Sequence, residues 1–145
     1  INLLNCSLNS LYPVLCKVWG NLHVHSTWQA NLDRPGIVIH NPGVVVDRAF
    51  FDHAEYVVTF EQSQAHWKAL QATREEGSGL PGDLHSKALV IMHTCSTAEG
   101  SLEQVIEEVR GWGFAGLYIT EQEGGNFTKW PRTWRSFVKA LEEGL

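Results

Sequence analysis

The sequence predicts an α/β fold in which a parallel sheet is covered by helices. Four nearly continuous apolar stretches alternate with amphipathic helical patterns, and each stretch ends at a polar or ionisable side chain. The chain has 145 residues, of which 43% are hydrophobic, so it is long enough to bury a core as one domain. Two architectures fit this pattern: an open doubly wound sheet and part of a (β/α)8 barrel. The four units span about 110 residues, whereas a full barrel needs about 200 to 250.

The regular pattern begins at residue 36. Residues 1–35 show no sustained helical or alternating period, and we treat them as an unassigned leader or the remnant of a preceding unit. Residues 36–145 are predicted to form four consecutive βα units resembling the C-terminal half of a (β/α)8 barrel. Half a barrel leaves exposed sheet edges, so we expect a fragment or a chain that is poorly stable alone.

The first two units are read from apolar runs and turn residues. GIVIHNPG (36–43) predicts a strand that stops at Pro-Gly, and a short helical stretch follows from Asp47. YVVTFE (56–61) predicts the second strand, and Ser63 is a candidate N-cap for the helix that follows it.

The last two units repeat the pattern. KALVIMHTC (87–95) and AGLYITE (115–121) predict strands. Ser101 is a candidate N-cap, with Gln104 three residues later as in a capping box. An amphipathic helix is predicted to close the chain from Trp130, with Pro131 near its first turn. Trp130 and Trp134, four residues apart, are interpreted as core side chains.

The candidate site lies at the carboxyl ends of the strands, where parallel α/β proteins place their functional residues. One polar side chain ends each predicted strand: Asn41, Glu61, His93 and Glu121. Tyr118 is interpreted as packing, because regular alternation puts it on the opposite face from Glu121.

Strand alternation favours the barrel over the open sheet. Residues two apart share a face, so Glu61 is grouped with Thr59 and Val57 on a barrel interior. The bulkier set, Tyr56, Val58 and Phe60, is then predicted to pack under helices.

Composition excludes several classes of function. The formal charge is −5 and lysines and arginines are scattered, which argues against a nucleic-acid or membrane-surface partner. No apolar run approaches the roughly 18 to 20 residues of a membrane span. The three cysteines, Cys6, Cys16 and Cys95, include no C-x-x-C pair, and a Cys6–Cys16 bridge is compatible with the sequence but not established by it.

Several of these stretches, in order, resemble the C-terminal half of spherulin-4-like (spherulation-specific) proteins. The resemblance covers residues 36–141 and rests on an Asn-Pro-Gly strand end, a strand ending in Phe-Glu, an aliphatic strand with a terminal His, and a Tyr-containing last strand before a Pro-x-x-Trp helix. These motifs stand in IVIHNPG, VVTFEQS, ALVIMHT, GFAGLYITE and KWPRTWRSFVKAL.

The resemblance implies a (β/α)8 barrel and an endo-acting glycoside hydrolase that cleaves α-1,4-linked galactosamine polymers. It further implies a polysaccharide partner, no cofactor, no metal, and an extracellular or cell-surface location. The family's proposed catalytic carboxylates are an acidic pair on an earlier strand and the Glu of the Phe-Glu strand. Only the second maps onto this chain, at Glu61; before residue 36 the sequence offers only the isolated Asp33.

These expectations assign Glu61 as catalytic and Asn41, His93 and Glu121 as substrate-binding residues. Glycoside hydrolysis needs two carboxyl groups, so Glu121 or Glu123 is considered as the partner of Glu61.

Two other functions remain open. One is a non-catalytic carbohydrate-binding or structural wall protein. The other is a metal-dependent phosphoesterase of the PHP type, in which His23 and His25, two apart on a strand, would bind a divalent metal.

Overall fold

Four parallel strands form one sheet in the order in which they occur in the chain. A computed structural model of the chain describes residues 36–73, 79–98, 101–124 and 129–143. The strands are β1 (Ile39–His40), β2 (Tyr56–Ser63), β3 (Ala88–His93) and β4 (Gly116–Ile119). Each strand pairs with the next one along the chain, without the reversal of strand order that marks a doubly wound sheet. The predicted α/β class is confirmed.

Helical segments follow the strands. The α-helices are α1 (Gln64–Thr73), α2 (Ser101–Gly111) and α3 (Trp134–Glu143), and 3-10 helices span Arg48–Asp52 and Gly82–Lys87. Within the described residues, none of the helices has the length and apolar character needed to cross a bilayer. The expectations for residues 1–35, including Cys6, Cys16, His23, His25 and Asp33, lie outside the described residues.

The predicted N-cap at Ser63 is confirmed, and Asp47 caps the first 3-10 helix. The Asp47 carboxylate accepts a hydrogen bond from the Ala49 N–H at 2.9 Å, and the Ser63 hydroxyl accepts one from the His66 N–H at 3.3 Å. The prediction for Ser101 is wrong, because this residue is the first of α2 rather than its cap. Its hydroxyl instead accepts a hydrogen bond from Gln64 Nε2 at 3.3 Å, which ties α2 to α1.

The sheet has two unlike faces. On β3, Ala88, Val90 and Met92 are buried, whereas the alternating Leu89, Ile91 and His93 are only half-buried. We call the buried side the helix face and the half-buried side the open face. In a closed (β/α)8 barrel the face turned away from the helices lines the interior.

The helix face carries the hydrophobic core. One cluster joins β2, β3 and β4 to the three α-helices, and its central members are Phe60, Trp67, Val90, Met92, Val105, Ile106, Val109, Ile119 and Phe137. A second cluster packs both 3-10 helices against β2 and β3 through Phe50, Phe51, Val57, Leu80, Leu84 and Ala88. Each fully buried aliphatic or aromatic side chain contributes about 1.5 to 3 kcal/mol relative to an exposed one, so these clusters hold the helices to the sheet.

Cys95, which follows β3, belongs to the first cluster. It is unpaired and 7% exposed, and its Sγ donates to the Met92 carbonyl at 3.4 Å. Burial raises the pKa of the thiol to about 11. Because only the thiolate is an effective nucleophile or metal ligand, Cys95 is a packing residue.

A β-bulge in β2 decides which of its side chains face the helices. Val57 pairs with Ala88 and Val58 with Leu89, but the next pair is Phe60 with Val90, so Thr59 is an inserted residue. Glu61 then pairs with Ile91 and lies on the open face.

The bulge corrects the alternation that the sequence predicts for β2. Val57 faces the helices with Ala88, and Val58 shares the open-face register of Leu89, the reverse of the prediction. Phe60 and Glu61 lie on their predicted faces. A bulge adds one residue to a strand and shifts the two-residue period by one, which simple counting cannot detect.

Candidate functional site

Glu61 lies near the carboxyl end of β2, half-buried on the open face. Its Oε2 accepts a hydrogen bond from Asn41 Nδ2 at 2.8 Å. Asn41 directly follows β1, so two adjacent strands bring their polar ends together as the sequence predicts. Within the described residues, Oε1 of Glu61 accepts no hydrogen bond.

The Asn-Pro-Gly turn packs directly against Glu61. The Gly43 N–H donates to the Val58 carbonyl at 3.1 Å, and the Gly43 carbonyl accepts from the Glu61 N–H at 2.9 Å. Gly43 has a φ of 70°, and a Cβ there would lie 3.2 Å from Glu61 Cβ. Glycine is therefore needed for both the backbone conformation and the close approach.

His93 ends β3 on the same face as Glu61. It pairs in register with Ser63, two residues beyond Glu61 on β2. The imidazole Nδ1 lies 2.9 Å from the hydroxyl oxygen of Thr94. Thr94 adopts a φ of 52°, an uncommon conformation for a threonine, and its N–H donates to the Gln122 carbonyl at 2.8 Å. This bond fastens the loop after β3 to the loop after β4.

Tyr118 also lies on the open face, which the sequence interpretation missed. It pairs with Ile91, and Ile91 pairs with Glu61, so the three residues lie in one row across the sheet. Two strand spacings, about 10 Å, separate the backbones of Tyr118 and Glu61. The sequence prediction assumes that regular alternation continues to Glu121 and so places Tyr118 on the opposite face from it. Glu121 lies beyond the end of β4, where regular alternation no longer applies.

Both carboxylate oxygens of Glu121 accept hydrogen bonds from the segment before α3. Its Oε1 accepts from the Arg132 N–H at 2.9 Å, and its Oε2 accepts from the Thr133 hydroxyl at 3.2 Å. Desolvation alone would raise the pKa of Glu121, but the hydrogen bonds from Arg132, its own backbone N–H and Thr133 outweigh it and lower the pKa. These contacts make Glu121 the anchor of the segment that begins α3.

Trp130 is the residue whose position differs most from expectation. Its side chain is 73% exposed, which contradicts the prediction of a core position. It precedes α3 instead of lying within it, because the helix begins at Trp134. Trp134 is half-buried and packs on Phe137, so the core interpretation applies to that residue alone.

A cavity of about 280 Å³ lies between β2, α1 and the loop after β1. Its lining includes Phe60, Trp67 and Leu70 and is mostly apolar. Because Phe60 and Trp67 belong to the helix-face core, this cavity lies on that face, and Gly43, which packs against Glu61, also lines it.

The arrangement supplies one positioned carboxylate at the carboxyl end of the sheet. Hydrolysis of a glycosidic bond requires a second carboxyl group about 5 to 9.5 Å away. Glu121 is poorly suited to this role because both of its oxygens bind the segment before α3. Within the described ranges, no group of three or more His, Cys, Asp or Glu residues could hold a metal ion.

Comparisons with known proteins agree with this fold. The model of spherulation-specific family 4 matches residues 19–141. The crystal structure of Aspergillus clavatus Sph3 in complex with GalNAc superposes with a TM-score of 0.66 at 19% sequence identity. The match covers 86% of this chain and 51% of the Sph3 chain, so the chain spans about half the length of that structure. No curated protein sequence matches the chain.

The Gly43→Ala substitution tests how tightly the turn packs on Glu61. We expect it to lower the free energy of unfolding by about 2 to 4 kcal/mol, because strain from positive φ adds to crowding against Glu61. Gly79→Ala is the matched control, since Gly79 also has a φ of 70° but a Cβ there would meet nothing within 4 Å. Urea denaturation of both variants separates the two effects. Equal losses would show that Gly43 does not crowd Glu61.

The lowered pKa of Glu121 predicts a pH-dependent contribution to stability. The contribution is fully present above the ordinary glutamate pKa of about 4.3 and is lost as the pH falls through the lower folded-state value. We therefore expect Glu121→Gln to destabilise the protein at pH 7 and much less at pH 3. Urea denaturation across this range measures the difference. Glu123→Gln, at an exposed neighbouring position, is the control, and a pH-independent cost for Glu121→Gln would contradict the assignment.

Proposed function

Since the chain belongs to spherulation-specific family 4, we propose that it takes part in the hydrolysis of a galactosamine-containing polysaccharide, with Glu61 as a catalytic carboxylate. The observation that carries this proposal is the placement of Glu61: on the open face, near the carboxyl end of its strand, with one oxygen held by Asn41. Carboxyl ends of parallel strands are the usual position of catalytic groups in (β/α)8 enzymes.

Glu61 would protonate the leaving oxygen, activate water or attack the anomeric carbon, the roles available to carboxyl groups in glycosidases. Asn41 can only donate through Nδ2, so its hydrogen bond orients the carboxyl group. We assign Asn41 as a positioning residue. His93, on the next strand and the same face, is assigned to bind a sugar hydroxyl.

The sugar class is supported by charge and by the structural comparison. Amino sugars with a free amine are cations near neutral pH, and the chain carries a formal charge of −5, which attracts such a polymer. The Sph3 crystal contains GalNAc, which is a ligand of that protein. We propose the same galacto-configured amino sugar class here, met at the cell surface or outside the cell.

The second carboxylate is assigned outside the described residues. Glu121 is bound to the segment before α3, and Glu123 follows it on an exposed turn. The chain spans about half of the Sph3 chain, which leaves room for a partner carboxylate in the other half of a barrel. In that arrangement Glu61 supplies one of the two groups that the reaction needs.

A carbohydrate-binding protein without hydrolytic activity is the second candidate. The observation that favours it is that Arg132 and Thr133 bind both oxygens of Glu121, so that no second carboxylate is evident beside Glu61 in the part of the chain that the structure describes. Measuring both sugar binding and bond hydrolysis on the same oligomers distinguishes this candidate from the hydrolase.

The Glu61→Gln substitution tests the catalytic assignment. We expect release of reducing ends from deacetylated α-1,4-galactosamine oligomers to fall at least about 100-fold, because an amide cannot exchange the required proton. Binding of the oligomers, measured by calorimetry, should persist. Glu123→Gln is the control for loss of a nearby charge. Full hydrolysis by Glu61→Gln would refute the assignment, and binding without hydrolysis by the unsubstituted chain would favour the binding protein.

Asn41→Ala tests the positioning role. We expect kcat to fall about tenfold with little change in KM, because the variant loses the hydrogen bond that orients Glu61 and no direct contact with substrate. Steady-state kinetics on the same oligomers give both constants. A higher KM with an unchanged kcat would instead identify Asn41 as a substrate-binding residue.

A further inference from the structure

Trp130 is a large apolar side chain that is 73% exposed in a well-anchored part of the chain. The next residue, Pro131, is buried, and the Trp130 ring meets the half-buried Trp134 ring edge-on at a centroid separation of 5.0 Å. Edge-to-face contacts of this kind fix the orientation of an aromatic ring. The exposure of Trp130 is thus a property of a positioned ring.

Hydrogen bonds hold both sides of Trp130. On one side, Gln122 Nε2 donates to the Lys129 carbonyl at 2.6 Å, and Gln122 Oε1 accepts from the Lys129 N–H at 3.2 Å. On the other side, Glu121 accepts from the Arg132 N–H at 2.9 Å and from the Thr133 hydroxyl at 3.2 Å. The side chains of two consecutive residues, Glu121 and Gln122, therefore hold the backbone on both sides of Trp130.

These hydrogen bonds also determine where Trp130 lies. Glu121 and Gln122 directly follow Thr120, whose N–H donates to the Met92 carbonyl at the end of the β3–β4 pairing. The segment is thus fastened to the carboxyl end of β4. Glu61 lies near the carboxyl end of β2 in the same parallel sheet, so both residues lie at the same end of the sheet.

A galacto-configured pyranose ring suits such a surface. With its axial O4, one face of the ring presents the C3, C4 and C5 hydrogens as a continuous apolar patch that matches the flat face of an indole. A positively charged amine on the same ring is additionally attracted to the aromatic π-system. Because Trp130 is already held in place, little conformational freedom is lost when a sugar stacks on it.

We propose that Trp130 is a stacking platform for one galactosamine unit of the polysaccharide, forming a subsite at the carboxyl end of β4. This inference rests on the proposed function for the sugar class, but not on hydrolysis. Glu121 and Gln122 act as positioning residues for the platform. This role explains why Glu121 is bound to the α3 segment and not directed towards Glu61.

The test measures the Kd of a deacetylated α-1,4-galactosamine hexamer by calorimetry on the full chain. We expect Trp130→Ala to weaken binding about tenfold, whereas Trp130→Phe, which keeps an aromatic face, should bind within about threefold of the unsubstituted protein. Ile37→Ala is the matched control, because Ile37 is 71% exposed but precedes β1 at the opposite end of the sheet. Circular dichroism establishes that each variant is folded.

The outcomes separate the platform from the hydrolase. Unchanged hexamer affinity in folded Trp130→Ala, or equal losses in Trp130→Ala and Ile37→Ala, overturns the platform and leaves the role of Glu61 intact. Weaker binding in Trp130→Ala, with hydrolysis that does not depend on Glu61, supports the platform and refutes the catalytic assignment. Failure of the unsubstituted chain to bind the hexamer overturns the platform.

Discussion

The bulge at Thr59 is the constraint on which the candidate site depends. Val57 is fixed on the helix face by the core cluster that it forms with Phe50 and Phe51. Regular alternation from Val57 would turn Glu61 into the helix-covered core, where an unpaired carboxylate is costly to bury, and would turn Phe60 out of it. The inserted residue reverses both placements. A single extra residue in β2 thereby supplies Phe60 to the core and Glu61 to the open face.

The turn after β1 is built around the same irregularity. Gly43 bonds to Val58 on one side of the bulge and to Glu61 on the other, so the Asn-Pro-Gly turn bridges it. That bridging brings Asn41 within hydrogen-bond reach of Glu61. At the same end of the sheet but on its opposite edge, after β4, Glu121 and Gln122 organise the segment before α3 in a similar way. The polar ends of β1 and β2 thus form the candidate site, whereas the residues after β4 hold the segment before α3.

The sequence predicts much of the fold because apolar runs of strand length and helical periodicity arise directly from burial. The four strands and the ends at Asn41, Glu61 and His93 follow from that pattern. The faces on which Val57 and Val58 lie do not follow from it, because nothing in the neighbouring sequence marks Thr59 as an inserted residue. The exposure of Trp130 does not follow from the pattern either, because it depends on where α3 begins and on the hydrogen bonds that Glu121 makes to the segment before it, and periodicity cannot reveal such tertiary contacts. The position of Tyr118 on the open face could be found only from the pairing register of β4 with β3.

A crystal structure of the Glu61→Gln protein with a galactosamine oligosaccharide tests the central claim most directly. The account predicts a sugar on the open face at the carboxyl end of the sheet, with the side chain of residue 61 within about 3 Å of a glycosidic oxygen or facing the adjoining anomeric carbon. Asn41 should remain bonded to the substituted side chain. A sugar bound on the helix face or away from residue 61, with that side chain contacting only Asn41, would contradict the catalytic role of Glu61.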